Sequence, residues 1–180
     1  MEQRNPVRSG IVVPDSAQLA KWWAVFTLSR QERIVEDQIQ RRGLETWLPL
    51  VPKLTRWSDR RKLINRPLFP QYLFVRCADT NRNQAFGIAG MVRYVGNKGT
   101  ASAIDSTELD AVREVLRRQL PCERYSSLAV GQRVRVVRGP LMGMCGKLIR
   151  HGKGYRLVIA IEAMGQAIAS DVESCDVEAD

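Results

Sequence analysis

Apolar and polar residues recur along the chain with two spacings, and these spacings predict strands and helices. Residues 21–27 combine aromatic and β-branched side chains, which is typical of a strand. A helix is predicted next, because Ser29 and Glu32 have the spacing of a capping box, in which each side chain bonds the other residue's backbone N–H. Val35 and Ile39 give this helix an apolar stripe, and it is predicted to end near Gly43.

The next segment is rich in proline and in positive charge. Residues 47–51 predict a second strand that proline interrupts, and the basic stretch after it predicts a loop or a hairpin with a turn at residues 58–59. Pro67 and Pro70 cannot donate a hydrogen bond to a sheet, so we expect the regular central strand to begin near Gln71.

A further strand and a second helix complete the first half of the chain. Residues 91–95 predict the strand, and the helix is expected to begin near Asp105 and to stop at Pro121. Its apolar residues recur at helical spacing: Leu109, Val112, Leu116 and Leu120. The order of these elements predicts an α+β fold, with helices packed on an antiparallel sheet.

The rest of the chain predicts short strands separated by glycines. Val134 and Val136 alternate with Arg133 and Arg135, the pattern of a half-buried strand, and three further strands are predicted at residues 147–149, 155–161 and 166–170. Strands at this spacing favour a small barrel that is closed or nearly closed. The predicted organisation is a disordered tail (1–19), an N-terminal domain (20–120), a linker (121–127) and a C-terminal barrel domain (128–180).

Charge favours a nucleic-acid partner. The 180 residues carry a formal net charge of +9, with a sequence pI of about 9.9. The stretch from Lys53 to Arg66 holds six basic residues and one acid.

The tail lacks the apolar segment of a secretory signal, and no apolar run is long enough to cross a membrane. We therefore predict a cytoplasmic protein.

The composition offers few residues for a catalytic or metal site. Four cysteines lie far apart and the chain has one histidine, His151, so neither a zinc site nor a histidine-based catalytic group can be assembled. Reduced thiols are the simplest interpretation. We predict no cofactor, no metal and no enzymatic activity.

Two segments together resemble a known family. Residues 130–136, followed by Gly139, Gly143 and Gly146, resemble a KOW motif, which ribosomal proteins and elongation factors share. Residues 21–25 and 66–75, the latter reading RPLFPQYLFV, resemble the N-terminal (NGN) domain of the NusG family. The amino-acid sequence of residues 66–75 is most similar to that of the specialised RfaH-like paralogues. The resemblance implies an NGN domain followed by a KOW, SH3-like barrel.

In that family the N-terminal domain docks on the clamp helices of the RNA polymerase β′ subunit and reaches the gate loop of the β subunit, which suppresses pausing. By motif position, five residues would line or support the aromatic clamp-binding cavity: Phe26, Leu68, Phe69, Tyr72 and Phe74. Strand alternation puts Tyr72 and Phe74 on one face. The alternative is that some of these side chains are simply core.

RfaH-like paralogues also bind the non-template DNA strand, and Gln38, Arg41 and Arg42 match the positions that do so. The alternative is a solvated helix end. The chain departs from the RfaH pattern at Ile88 and Ala89, where RfaH has a polar and a basic residue. The basic hairpin is a second candidate nucleic-acid surface, or else only a solvated hairpin. Its candidate residues are Arg56, Arg60, Arg61 and Lys62.

In NusG proteins the barrel binds Rho or the ribosomal protein NusE through an apolar loop. The corresponding candidates in this chain are Leu141, Met142, Met144 and Met164, which otherwise belong to the core. Ala163 and Gln166 differ from the residues that the family typically has there. RfaH-like proteins can refold this domain as helices, but the Val- and Gly-rich sequence predicts a barrel.

The family resemblance implies a monomeric elongation or antitermination factor acting at a subset of operons. The alternatives are a ribosomal or RNA-binding KOW protein with a structural role, and a regulator that binds promoter DNA. The first does not account for the N-terminal 120 residues, and no helix-turn-helix pattern supports the second.

Overall fold

The computed structural model describes residues 20–57, 60–97, 99–125 and 131–180. The predicted tail at 1–19, the predicted turn at 58–59 and residues 126 and 127 of the predicted linker lie outside the described residues. Neither described helix has the length and apolar character needed to span a bilayer. All four cysteines are free thiols.

The described elements are fifteen strands, two α-helices and three 3-10 helices. The strands of the N-terminal half are β1 (Lys21–Thr27), β2 (Glu45–Trp47), β3 (Leu50–Trp57), β4 (Arg60–Pro67), β5 (Tyr72–Cys77), β6 (Met91–Tyr94), β7 (Gly96–Asn97), β8 (Thr100–Ala101) and β9 (Ala103–Ile104). Those of the C-terminal half are β10 (Cys122–Tyr125), β11 (Gln132–Val136), β12 (Cys145–His151), β13 (Gly154–Ile161), β14 (Gln166–Val172) and β15 (Val177–Ala179). The helices are α1 (Glu32–Arg41) and α2 (Ser106–Arg117), with 3-10 turns at Asp79–Ala85, Glu162–Met164 and Ser174–Asp176.

An antiparallel sheet forms the centre of the N-terminal half. Its strand order is β2-β5-β1-β6, and β9 pairs with the other end of the same edge of β1. Strand β1 matches the predicted 21–27, and β5 is an interior strand, as predicted. Register places Ala24 opposite Phe74 and Phe26 opposite Tyr72, so these four residues share one face.

Helix α1 covers the other face of this sheet. Val35 and Ile39 are fully buried there, which confirms the predicted apolar stripe. They pack with the alternate residues of the strands, namely Trp23, Val25, Leu73, Val75, Cys77 and Tyr94. Gly43, with φ of 78°, follows the end of the helix as expected.

The predicted capping box at the start of α1 is wrong. The helix begins at Glu32, its N-cap is Gln31, and no side chain caps it. The Glu32 carboxylate, only 6% exposed, instead accepts a 2.8 Å hydrogen bond from the backbone N–H of Gln71. Gln71 has φ of 69°, so the carboxylate holds a left-handed residue immediately before β5.

Helix α2 lies on the sheet face that carries Ala24 and Phe74. Asp105 caps this helix by accepting the Thr107 N–H at 2.9 Å, close to the predicted start. The buried stripe is Leu109, Val112 and Val115, whereas the predicted Leu116 is only partly buried. The same apolar cluster continues into the C-terminal sheet through Ile159, Ile161 and Met164, among others.

Strands β3 and β4 pair with each other and with no other described strand. The predicted second strand at 47–51 is therefore divided: residues 45–47 belong to the central sheet, and residue 50 begins a two-stranded hairpin of eight residue pairs. The peptide carbonyl of Pro49, at the break, accepts the N–H of Leu68 at 2.8 Å.

The C-terminal half is a six-stranded antiparallel sheet in the order β10-β14-β13-β12-β11-β15. Val134 and Val136 are buried and Arg133 and Arg135 exposed, as the alternation predicts. Gly146 allows β12 to lie close to β13, because a Cβ atom there would come within 2.7 Å of the Val158 carbonyl oxygen. The predicted α+β class with antiparallel sheets is confirmed.

The predicted linker at 121–127 is wrong over most of its described part. Residues 122–125 form strand β10, which pairs with β14 from Cys122 opposite Ser170 to Tyr125 opposite Ala167. The Ser170 hydroxyl donates to the carbonyl of Pro121 at 3.0 Å. The chain thus passes from the end of α2 into the C-terminal sheet within a few residues.

Candidate functional site

A row of side chains crosses three strands at one end of the central sheet. Tyr72 on β5 and Arg93 on β6 both lie opposite Phe26 on β1. The Phe26 and Tyr72 rings are half-buried and tilted by 55°, with centroids 5.2 Å apart. The Arg93 guanidinium carbon is 5.6 Å from the Phe26 ring centroid, a cation–π distance. The row therefore offers two aromatic rings and one cation at a partly open surface.

Three of the five predicted cavity residues lie beneath this surface. Leu68 is 4% exposed, and Phe69 and Phe74 are fully buried. Phe69 meets Phe74 edge-on, with centroids 6.2 Å apart, and Trp47 stacks on Phe74 at 5.3 Å. For Phe69 and Phe74 the structure favours the core alternative over a surface position. They support the sheet from within, and only Phe26 and Tyr72 reach the surface.

Arg113 of α2 completes the aromatic side of the sheet and was missed from the sequence. Its guanidinium carbon lies 4.5 Å from the Trp22 ring centroid and 4.7 Å from that of Trp47, and it forms a 3.0 Å ion pair with Asp110. Arg113 lies next to the apolar stripe of an ordinary amphipathic helix. No local pattern signals this contact, because its partners come from β1 and β2.

The predicted DNA-reading residues at the end of α1 have three different environments. Arg41 is exposed and Gln38 is half-buried. The Arg42 Nη1 donates to the carbonyl oxygens of Gln84 and Phe86, at 2.6 and 2.8 Å. Arg42 thus fastens the helix end to the loop before β6, so Arg41 is the freer cation for an external ligand.

The loop before β6, where the sequence departs from the RfaH pattern, has a buried residue at position 88 and an exposed one at position 89. Ile88 is only 3% exposed and packs with Ile39 and Tyr94 in the core under α1. The Tyr94 hydroxyl donates to the Arg82 carbonyl at 3.0 Å, and burial raises the pKa of that phenol well above its usual range. Tyr94 therefore remains a neutral structural donor.

The hairpin carries the second predicted nucleic-acid surface. Lys62 is exposed, and the side chains of Arg56, Arg60 and Arg61 lie outside the described part of the structure. Leu54 and Leu63, directly opposite one another, are 57% and 65% exposed. This leucine pair is not among the site residues predicted from the sequence, although each of the two leucines directly follows a lysine in the chain.

The predicted partner loop of the C-terminal sheet is largely covered. Leu141, Met144 and Met164 are 3%, 7% and 8% exposed, whereas Met142 is 64% exposed. For the first three the structure favours the core alternative, and their part in partner binding stays a prediction. Met164 ends the 3-10 turn Glu162–Met164, which contacts β7 and β9 of the N-terminal half.

Polar contacts fix this turn and the neighbouring loop on helix α2. The Glu162 N–H donates to Glu108 Oε1 at 3.4 Å, and the Arg118 guanidinium donates to the carbonyl of Pro140. Burial raises the pKa of the Glu108 carboxyl, and the nearby Glu162 charge adds to the shift. The two halves thus meet along α2, with the partner loop at their junction.

Comparisons with known proteins agree with this geometry. A family model described as "Transcription termination factor nusG" matches residues 20–113, more than half of the chain. A protein of Treponema pallidum (strain Nichols), named "Transcription termination/antitermination protein NusG", is 24% identical over 187 residues, which cover 88% of this chain and 98% of that protein. The solved structure "Domain interaction in Thermotoga maritima NusG" matches with a TM-score of 0.52 and 17% identity, over 91% of this chain and 98% of that one. The structural match supports an N-terminal unit of this type followed by a KOW-like unit.

Proposed function

Because this chain belongs to the NusG family of transcription termination and antitermination factors, we propose that it binds RNA polymerase through its N-terminal sheet and suppresses pausing or termination during elongation. Members of this family are transcription factors and not enzymes, so the prediction of a non-enzymatic protein is confirmed. The site of action is the cytoplasm, and the protein acts as a monomer.

The observation that carries this proposal is the half-exposed Phe26–Tyr72 pair. It lies within the matched residues 20–113 and at the motif position expected for polymerase contact. Aromatic side chains with one accessible face are good interface anchors, because they bury a large area at low entropic cost. The clamp helices of β′ are the proposed partner of this pair, and the gate loop of β is the proposed second contact.

The remaining surfaces have supporting roles in the proposal. Arg41 and Gln38 would contact the non-template DNA strand, and the hairpin would add phosphate contacts through Lys62 and its neighbours. NusE or Rho would bind the C-terminal sheet at Met142, with further residues of that loop available only after the two halves separate. Action at a subset of operons rests on the RfaH-like wording of residues 66–75. The ribosomal alternative accounts for the barrel but not for the family match on the N-terminal half.

Co-purification after nuclease treatment tests the proposal. Full-length protein should retain core RNA polymerase, whereas the double variant Phe26→Ala with Tyr72→Ala should weaken binding about 30-fold, since each aromatic anchor is worth about 1 kcal/mol or more. The control is Tyr155→Ala, which removes an exposed aromatic ring from the C-terminal sheet. Retention of ribosomes in place of polymerase would refute the proposal. Unchanged polymerase binding by a folded double variant would refute the site.

Phe69 and Phe74 are unsuitable for this experiment. Both side chains are fully buried, so their alanine variants would lose about 3–5 kcal/mol of stability and confuse unfolding with lost contact. In vitro elongation with and without Rho provides the functional measurement. The protein should shorten pauses, and the Phe26 and Tyr72 double variant should not.

A further inference from the structure

The β3–β4 hairpin exposes an apolar pair in the middle of a cationic ribbon. Leu54 and Leu63 are direct cross-strand partners and are among the most exposed large apolar side chains described. The pair before them in the ribbon, Lys53 opposite Ile64, and the pair after them, Thr55 opposite Lys62, point to the other face. Covering this leucine pair with a partner would be favourable, because apolar surface would be removed from water.

The charges around the pair indicate what that partner is. Lys53 lies on one strand and Lys62 on the other, and both are exposed, so one cation flanks each edge of the ribbon. The stretch from Lys53 to Arg66 holds six basic residues against one acid. Because Lys53 and Lys62 point away from the leucine face, the ligand that matches is a groove: its floor meets the leucines, and negative charge on its two rims lies near the outer face of the ribbon.

Double-helical DNA has that arrangement in its major groove. The groove is about 12 Å wide and admits a two-stranded ribbon, whose strands lie about 4.8 Å apart. Phosphates line both walls, and the thymine methyl groups are the apolar features of the floor. Duplex RNA does not suit the hairpin, because its major groove is too narrow for protein elements to enter.

We propose that the β3–β4 hairpin binds the major groove of duplex DNA, with Leu54 and Leu63 packed on thymine methyl groups and Lys53 and Lys62 on the two phosphate rows. The eight residue pairs span about 23 Å, enough to cross the groove. This inference rests on and deepens the proposed nucleic-acid role of the hairpin. It assigns the leucine pair to bases and the lysines to backbone.

Removing the thymine methyl groups from the DNA tests the leucine contact directly. The probes are an alternating A·T duplex of about two helical turns and the same duplex with uracil in place of thymine. Full-length protein should bind the thymine duplex more tightly, by about fourfold for each methyl group contacted. The variant Leu54→Ser with Leu63→Ser should lose this preference and bind both duplexes as the wild type binds the uracil form.

Variants of the two lysines test the phosphate contacts and should give the opposite result to the leucine variant. Lys53→Gln with Lys62→Gln should weaken binding to both duplexes and reduce the slope of log K against log salt by about 1.8, while the thymine preference is kept. Val92→Ser, which removes another exposed apolar side chain, is the matched control and should behave as wild type. Circular dichroism melting checks that every variant is folded.

Two outcomes would overturn the inference. One is equal binding of the thymine and uracil duplexes by the wild-type protein. The other is loss of nuclease-resistant polymerase binding in the leucine variant with DNA binding unchanged, which would make the pair a protein contact. Neither outcome affects the test of the proposed function, because wild-type retention of polymerase is measured without DNA.

Discussion

Replacing Glu32 by alanine removes the contact that joins the start of α1 to the start of β5. The Glu32 carboxylate is nearly buried and accepts the N–H of Gln71 at 2.8 Å. Alanine leaves that N–H without its acceptor, next to a residue held at φ of 69°. The affected turn leads directly into Tyr72, so the contact supports both the fold and the proposed polymerase surface.

The size of the effect follows from two contributions. A hydrogen bond to a charged group contributes about 1.5–3 kcal/mol, and an acid in the first turn of a helix adds about 0.3–1 kcal/mol. A total loss of about 2–4 kcal/mol should lower the melting temperature by about 4–16 °C in a protein of this length. Glu32→Gln keeps an acceptor without the charge and should lose about half as much.

Thermal unfolding followed by circular dichroism measures the difference. Asp37→Ala, an exposed acid of the same helix, is the control and should change stability by less than about 0.5 kcal/mol. Equal melting temperatures for Glu32→Ala and Asp37→Ala would contradict a stabilising role of the Glu32 carboxylate. Equal losses of stability in Glu32→Gln and Glu32→Ala would contradict the contribution of its charge. A folded Glu32→Ala protein should also bind polymerase more weakly, because the turn before Tyr72 is loosened.

Two further predictions concern the C-terminal sheet and its contact with α2. Gly146→Ala should destabilise the protein by about 1–3 kcal/mol, because its Cβ would lie 2.7 Å from the Val158 carbonyl oxygen. The control is Gly154→Ala, whose Cβ would meet nothing within 4 Å. Urea unfolding should give a lower midpoint for Gly146→Ala than for Gly154→Ala, and equal midpoints would contradict the close approach. Glu108 has a raised pKa in the folded state, so folding favours its protonated form, and stability should fall as pH rises from about 4.5 through the raised value. Glu108→Gln should therefore flatten the pH dependence of the melting temperature and raise that temperature at pH 7, and a loss of stability at pH 7 would contradict this sign.

Alternation and helical spacing predicted the elements well where the local period was sufficient. Strand β1 followed from its aromatic and β-branched residues, and the face shared by Tyr72 and Phe74 followed from a period of two. Burial was harder to predict. Leu116 and Val115 are neighbours at the edge of one helical stripe, and the position of α2 on the sheet decides which is buried. The burial of Phe69 also depends on tertiary packing. Its position in the motif predicts that it lies near the polymerase-binding region, but it does not predict whether the side chain is exposed.

Long-range partners account for the other differences. The spacing of Ser29 and Glu32 fits a capping box, yet Gln71, 39 residues away, takes the Glu32 carboxylate. Residues 122–125 have no strand pattern of their own and are a strand because β14 offers them an edge. Leu54 and Leu63 have the apolar character of core residues, and burial would require a second layer packed on their face of the hairpin. Their exposure shows that no described element packs over this face of the hairpin.

Strand β10 sets how far apart the two halves of the protein can move. With β10 paired, only residues 118–121 connect α2 to the C-terminal sheet, a tether of about 14 Å at full extension. Release of its four residue pairs from β14 would free residues 122–125 and lengthen the tether by about 14 Å. Detachment of this strand would therefore lower the effective concentration of one half around the other, because a longer tether lets the two halves move further apart.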